Sequence, residues 1–112
     1  MSDLANRRCE ACDGSTPSLT PGQIAKYLPQ VPQWQQRENA IERTFAFKGY
    51  CRTMAFVNAV AWIAHRENHH PDMHVSYQHC TVRYTTHAID GLSENDFICA
   101  AKVDALLDDD GR

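Results

Sequence analysis

Residues 40–67 read AIERTFAFKGYCRTMAFVNAVAWIAHRE, and the hydrophobic period changes within them at Gly49. Before that glycine, Ile41, Arg43, Phe45 and Phe47 alternate with Glu42, Thr44 and Ala46, the period of two that suits a β-strand with one buried face. After it, Met54, Phe56, Val57, Val60, Ala61, Ile63 and Ala64 recur at helical spacing and predict a long amphipathic helix from about Tyr50 to Glu67.

Working outward toward the N-terminus, Trp34 to Glu38 reads as a partner strand, with the turn at Asn39. Pro29 and Pro32 close off a short helix to about Leu28, whose start is marked by Thr20-Pro21-Gly22-Gln23. This stretch supplies an N-cap threonine, proline at the first helical position and a glutamine placed to close a capping box, with Leu19 and Ile24 as a hydrophobic staple. Toward the C-terminus, Val75 to Tyr77 and Cys80 to Thr85 read as two extended segments rich in Val, Thr and Tyr. Ser93-Glu94-Asn95-Asp96 is a second capping box, with Asp96 where Glu is commoner, and opens a last helix through Leu107. The order α-β-β-α-β-β-α predicts an α+β fold: a single-layer antiparallel four-stranded sheet with three helices packed on one face. Residues 1–18 lack apolar periodicity and are expected to be a flexible N-terminal arm, leaving one domain over 19–108 and a frayed acidic end at Asp108 to Asp110.

A chain of 112 residues holds one domain with a single core. Eleven Lys and Arg against 14 Asp and Glu give a net charge of −3, which offers no electrostatic footing for direct nucleic-acid binding. The longest apolar run, Ala59 to Ala64, is too short for a membrane span, and the first twenty residues lack a signal-peptide core, so a cytoplasmic protein is expected. Five scattered cysteines fit a reducing compartment better than a disulfide framework.

All six histidines lie between residues 65 and 87. His65 and His69 stand four apart, as zinc ligands on a helix do, but Arg66 follows His65 where the zinc-protease motif needs glutamate, and Glu67 points elsewhere. No metal site is expected. Cys9-Glu10-Ala11-Cys12 is a lone CxxC without the second pair of a zinc ribbon or the strand–helix setting of a thioredoxin motif. Trp34, Phe45, Phe47, Phe56, Trp62 and Phe97 sit at core periodicities, and signatures for dinucleotides, phosphate transfer and serine hydrolysis are missing. His65, His74 and His79 read as surface residues. That leaves His69-His70-Pro71 at a helix end, where Pro71 biases the chain out of helical geometry, and His87 at a strand end. One neutral imidazole can accept a proton while a protonated one donates, so this trio suits acid/base chemistry such as a dehydration.

In its histidine motifs the sequence resembles pterin-4a-carbinolamine dehydratases, especially bacterial ones, from about Leu19 to Leu107. The resemblance rests on His69-His70-Pro71, Tyr77 seven residues after His70, Thr86-His87, and Gly91-Leu92-Ser93 followed by Asp96, in order and at the family's spacing. It implies dehydration of 4a-hydroxytetrahydropterin to quinonoid dihydropterin, in support of tetrahydropterin recycling for aromatic amino acid hydroxylation, without a cofactor. It also implies His69, His70 and His87 as catalytic residues, Asn68, Thr86 and Asp96 as substrate-binding residues, and a homodimer or homotetramer. Animal members carry a carboxylate where this chain has Asn68 and an aromatic residue where it has Met73. Two other functions compete: a protein-binding dimerisation or transcriptional cofactor, as animal members of the family also are, and a histidine-rich metal-binding protein.

Overall fold

The structure, a computed structural model, describes residues 4–108, so Met1 to Asp3, Asp109 and Asp110 of the expected arm and tail lie outside the described residues. Its elements are α1 (Pro21–Tyr27), β1 (Gln35–Arg37), β2 (Ala40–Ala46), α2 (Tyr50–Glu67), β3 (Asp72–Val75), β4 (His79–Tyr84) and α3 (Glu94–Asp108). The strands form one antiparallel sheet in the order β1-β2-β4-β3. This is the α+β architecture that the hydrophobic periods predict.

Local chemistry accounts for the element ends. At α1 the Thr20 hydroxyl accepts from the Gln23 N–H and the Gln23 side chain accepts from the Thr20 N–H, which completes the capping box. Ile41 and Phe45 on β2 share the buried face of the sheet with Cys80, Val82 and Tyr84 on β4. The opposite face is polar, with the Thr44 and Thr81 hydroxyls 2.8 Å apart and Arg83 donating to Glu42 at 3.0 Å. One face therefore carries the core and the other meets water.

On α2 the buried positions are Thr53, Phe56, Val60 and Glu67. Trp62, expected in the core, is 59% exposed instead and packs on the His65 ring. Two residues along a helix turn the chain by about 200°, so Trp62 must face away from Val60. The first half of α3 is buried almost all round, from Asn95 to Ala101, because the N-terminal segment covers the side that the sheet does not. Leu4, fully buried, is the apolar anchor of that segment, and Lys102 donates to the Ala5 carbonyl at 2.7 Å. A sequence without periodicity thus still docks through one leucine.

The third strand lies earlier than its residue types suggest. It runs over Asp72–Val75, directly after Pro71, while Ser76 to Gln78 form the turn into β4, closed by the Ser76 N–H donating to the His79 carbonyl at 2.8 Å. The register explains this: Met73 opposes Val82 and Val75, itself exposed at the sheet edge, opposes Cys80 on the side that carries the core, leaving Tyr77 in the turn and 65% exposed. Pro71 sets the start of the strand, and the turn sets its end.

Candidate functional site

The last turn of α2 unwinds in a defined way. Asn68 takes the left-handed conformation (φ 53°, ψ 43°), its N–H donates to the His65 carbonyl, and the His69 N–H reaches back to the Ala64 carbonyl at 3.1 Å. This is a Schellman-type ending, and asparagine tolerates the left-handed region better than most residues. The chain turns sharply here, and both His69 and His70 line one pocket.

The opposite side of the pocket comes from the end of β4. The Thr86 N–H donates to the Gly91 carbonyl at 2.9 Å and the Gly91 N–H returns to Thr86, closing a small loop that presents His87. Gly91 is packed so closely that an added Cβ would stand 2.7 Å from the Ser18 hydroxyl. His87 and His70 meet across the pocket, ring centroids 5.9 Å apart, and both are exposed to it.

His69 faces the other way. Its Nε2 lies 2.7 Å from Asp96 Oδ1, and its ring stacks on Tyr84 at 5.8 Å with 7° between the planes. Asp96 is fully buried at the start of α3. Its second oxygen accepts from the Ser93 N–H at 2.9 Å and from the Thr86 hydroxyl at 2.8 Å, while Ser93 Oγ stands 2.7 Å from Thr86 Oγ1. The Asp96 side chain at the start of one helix therefore caps the Ser93 N–H, as one half of a capping box would, and holds an imidazole at another helix's end. A carboxylate only accepts, so His69 Nε2 carries the hydrogen, and a neutral ring would then keep its lone pair on Nδ1. Beneath the ring, burial pushes the Tyr84 hydroxyl far above the usual phenol range, with Cys99, Cys9 and Asp96 adding to it. The Cys99 thiol adjoins that hydroxyl, but among the described residues no group meets it with hydrogen-bond geometry.

The pocket, about 400 Å³, is also lined by Cys9, Glu10, Ala11 and Cys12. Glu67, on the last turn of α2, holds this segment: it accepts from the Cys9 N–H at 2.8 Å and pairs with Arg8 at 3.2 Å and Lys102 at 3.8 Å. Burial pushes the Glu67 carboxyl up, but the Cys9 hydrogen bond and the charges of Lys102 and Arg8 outweigh it and hold the group below its ordinary value. Asn95 binds the backbone of Glu10 twice, accepting from its N–H at 3.1 Å and donating to its carbonyl at 2.6 Å. Cys9 and Cys99 sulfurs lie 3.5 Å apart, and that contact together with burial raises the Cys99 thiol well above its usual range. Among the described residues no group of three or more His, Cys, Asp or Glu side chains is arranged to hold a metal ion.

The sequence pattern of the family described as pterin 4 alpha carbinolamine dehydratase matches residues 17–106. The chain belongs to the pterin-4-alpha-carbinolamine dehydratase family. A relative from Nitrosomonas eutropha that carries this enzyme name provisionally is 61% identical over 106 residues, covering 94% of each chain. One from Legionella pneumophila strain Corby, named in the same provisional way, is 52% identical over 111 residues, 96% of this chain and 98% of that one. A solved structure titled as a transcriptional coactivator/pterin dehydratase from Brucella melitensis superimposes with a TM-score of 0.77 at 29% identity, covering 80% of this chain and 98% of that chain. A pterin dehydratase-like protein identified as a RuBisCO assembly factor in the alpha-carboxysome matches with a TM-score of 0.57 at 26% identity, covering 67% and 87%.

Within this dehydratase-family fold, His69, His70, His87, Asn68 and Thr86 all line the pocket, while Asp96 lies buried against His69. Thr86 is also nearly inaccessible, its hydroxyl committed to Asp96 and Ser93. His65, His74 and His79 are exposed and do not line it. Sequence reasoning missed Tyr84, which supports His69, and the whole contribution of residues 9–12. The CxxC spacing singled out that stretch, but only the buried pairing of Glu67 with Cys9 shows where it goes.

Proposed function

We propose that the pocket dehydrates a 4a-hydroxytetrahydropterin to the quinonoid dihydropterin by histidine acid/base catalysis. The observation that carries this reading is the contrast in hydrogen bonding: His69 has Nε2 committed to buried Asp96 at 2.7 Å, while the rings of His70 and His87 face each other across the opening. With Nε2–H donated to Asp96, Nδ1 of neutral His69 can take the N5 proton of the pterin. Protonated His87 gives its proton to the 4a-hydroxyl, which leaves as water while the N5 electrons form the C4a=N5 bond. His70 contacts the ring opposite His87. Asp96 and Thr86 act through His69, and Asn68 sets the sharp turn that presents it. Each step moves a proton between an imidazole and substrate, and such positioning contributes about 10² to 10⁴ in rate.

On this reading the protein supports tetrahydropterin recycling for aromatic amino acid hydroxylation, in the cytoplasm, where its five free thiols stay reduced. Among the described residues no helix is long and apolar enough to cross a membrane. The sheet ends in the short edge strands β1 and β3, with Val75 and Tyr77 exposed beside the latter, and soluble proteins often cover such edges with a second copy. We take the protein to be a homo-oligomer, dimer or tetramer, with each pocket built within one chain. A stable monomer of full activity in light scattering would contradict that.

The direct test of function is the decay of 4a-carbinolamine absorbance with and without protein. Acceleration in proportion to protein concentration is the expected result. Decay at the buffer rate would leave the non-enzymatic roles named for the structural relatives as the better account.

A further inference from the structure

The family pattern begins at residue 17, yet residues 9–12 form one side of the pocket. They are fixed there by two buried side chains. Asn95, 7% exposed, clamps both backbone polar groups of Glu10, and Glu67, its side chain 4% exposed, holds the Cys9 N–H and the Arg8 guanidinium. The fully buried Leu4 anchors the same segment farther back. A solvated loop without a role needs no such fastening, since each buried polar group must be satisfied by a partner placed for it.

Two carboxylates line this pocket, and their situations differ. The Glu67 carboxylate is already occupied by a backbone N–H and two cations. Glu10 has its backbone held rigidly, while its residue is exposed and borders the pocket space. A 2-amino-4-oxopteridine presents adjacent N–H donors along its pyrimidine edge, at N3 and the 2-amino group. A carboxylate can accept from two parallel donors at once, a pairing that fixes orientation as well as adding affinity.

We propose that residues 9–12 are a specificity wall of the site, in which Glu10, held in place by Asn95, accepts the N–H edge of the pterin pyrimidine ring. This rests on the reading that the pocket takes a pterin, and it adds that the far end of the ring is recognised by a segment outside the family pattern. Asn95 is a positioning residue and Glu10 a binding residue. Neither moves a proton.

The test uses a matched pair of probes: pterin, with its 2-amino group, and lumazine, with oxygen at that position. Dissociation constants for both are measured by fluorescence titration on the full chain, Glu10→Gln and Asn95→Ala. Unaltered protein should prefer pterin by about tenfold or more, the scale of a charge-assisted hydrogen bond. Glu10→Gln should cut that preference to within about threefold with an unchanged melting temperature, because Glu10 is exposed. Asn95→Ala should shift it in the same direction. An unchanged preference in Glu10→Gln, or equal binding of the two probes by the unaltered protein, would overturn the proposal. Discrimination between the probes without turnover of the carbinolamine would instead sink the dehydratase reading and leave the wall standing.

Discussion

His69 and His70 are neighbours in the chain, yet one is stacked on Tyr84 and tied to a fully buried carboxylate while the other is exposed opposite His87. Behind His69, the Asp96 carboxylate, the Thr86 and Ser93 hydroxyls and the Ser93 N–H are joined in one hydrogen-bonded set. His70 and His87 are exposed instead, their rings facing each other across the opening. One tight turn thus serves two ends: the αL conformation of Asn68 sends successive side chains into opposite environments. On the buried side, substitutions should cost folding and function together. On the open side they should cost function alone.

The largest expected effect is that of Asp96→Ala. It strips the Ser93 N–H, the Thr86 hydroxyl and His69 of their common acceptor, and breaking a buried charged network of this sort costs about 3 kcal/mol. Denaturant melts should show that loss together with a dehydration rate lowered by about 10² or more. His87→Ala comes next and sharpens the contrast: kcat should fall by about 10² with a melting temperature within about 1 °C of the parent, because an exposed ring contributes little packing. If His87→Ala also melted early, the division into a held side and an open side would be wrong.

A smaller effect concerns the N-terminal segment. Glu67 is held below its ordinary value of 4.5, so its contribution to stability is fully present above that pH and is lost as pH falls through the lower value in the folded protein. Melting temperature followed from neutral pH into acid should therefore drop more steeply for the parent than for Glu67→Gln. Parallel curves would contradict this. The smallest effect is that of Tyr84→Phe. It keeps the ring under His69 and removes a buried hydroxyl that no described residue meets with hydrogen-bond geometry, so calorimetry should show unchanged or slightly higher stability.

Much of this was legible from the chain. The period change at Gly49 and the box at Thr20 located the central strand and two helices, because both signals are local. The third strand was displaced because Val and Tyr propensity is weaker than the register imposed by Pro71 and the turn at Ser76 to Gln78. Trp62 was read at a core periodicity, but it stands about 200° round α2 from buried Val60 and so faces outward. In the site, Asp96 was visible as a cap but its bond to His69 was not, since 27 residues separate the two and only the docking of α3 joins them. The role of residues 9–12 was hidden for the same reason: a single buried leucine and the distant partners Glu67 and Asn95 leave no periodic trace.

On the proposed mechanism, Asp96 keeps the hydrogen on Nε2 of His69 so that Nδ1 can act as the base. Asp96→Asn addresses it most directly. The amide oxygen can still accept from the Ser93 N–H and the Thr86 hydroxyl, which turns the NH₂ toward His69 and forces the ring hydrogen onto Nδ1. The Asp96→Asn kcat for carbinolamine dehydration should lie at least about 10² below the parent's, in a protein that melts far closer to the parent than Asp96→Ala does. A folded Asp96→Asn protein with parental kcat would contradict that mechanism.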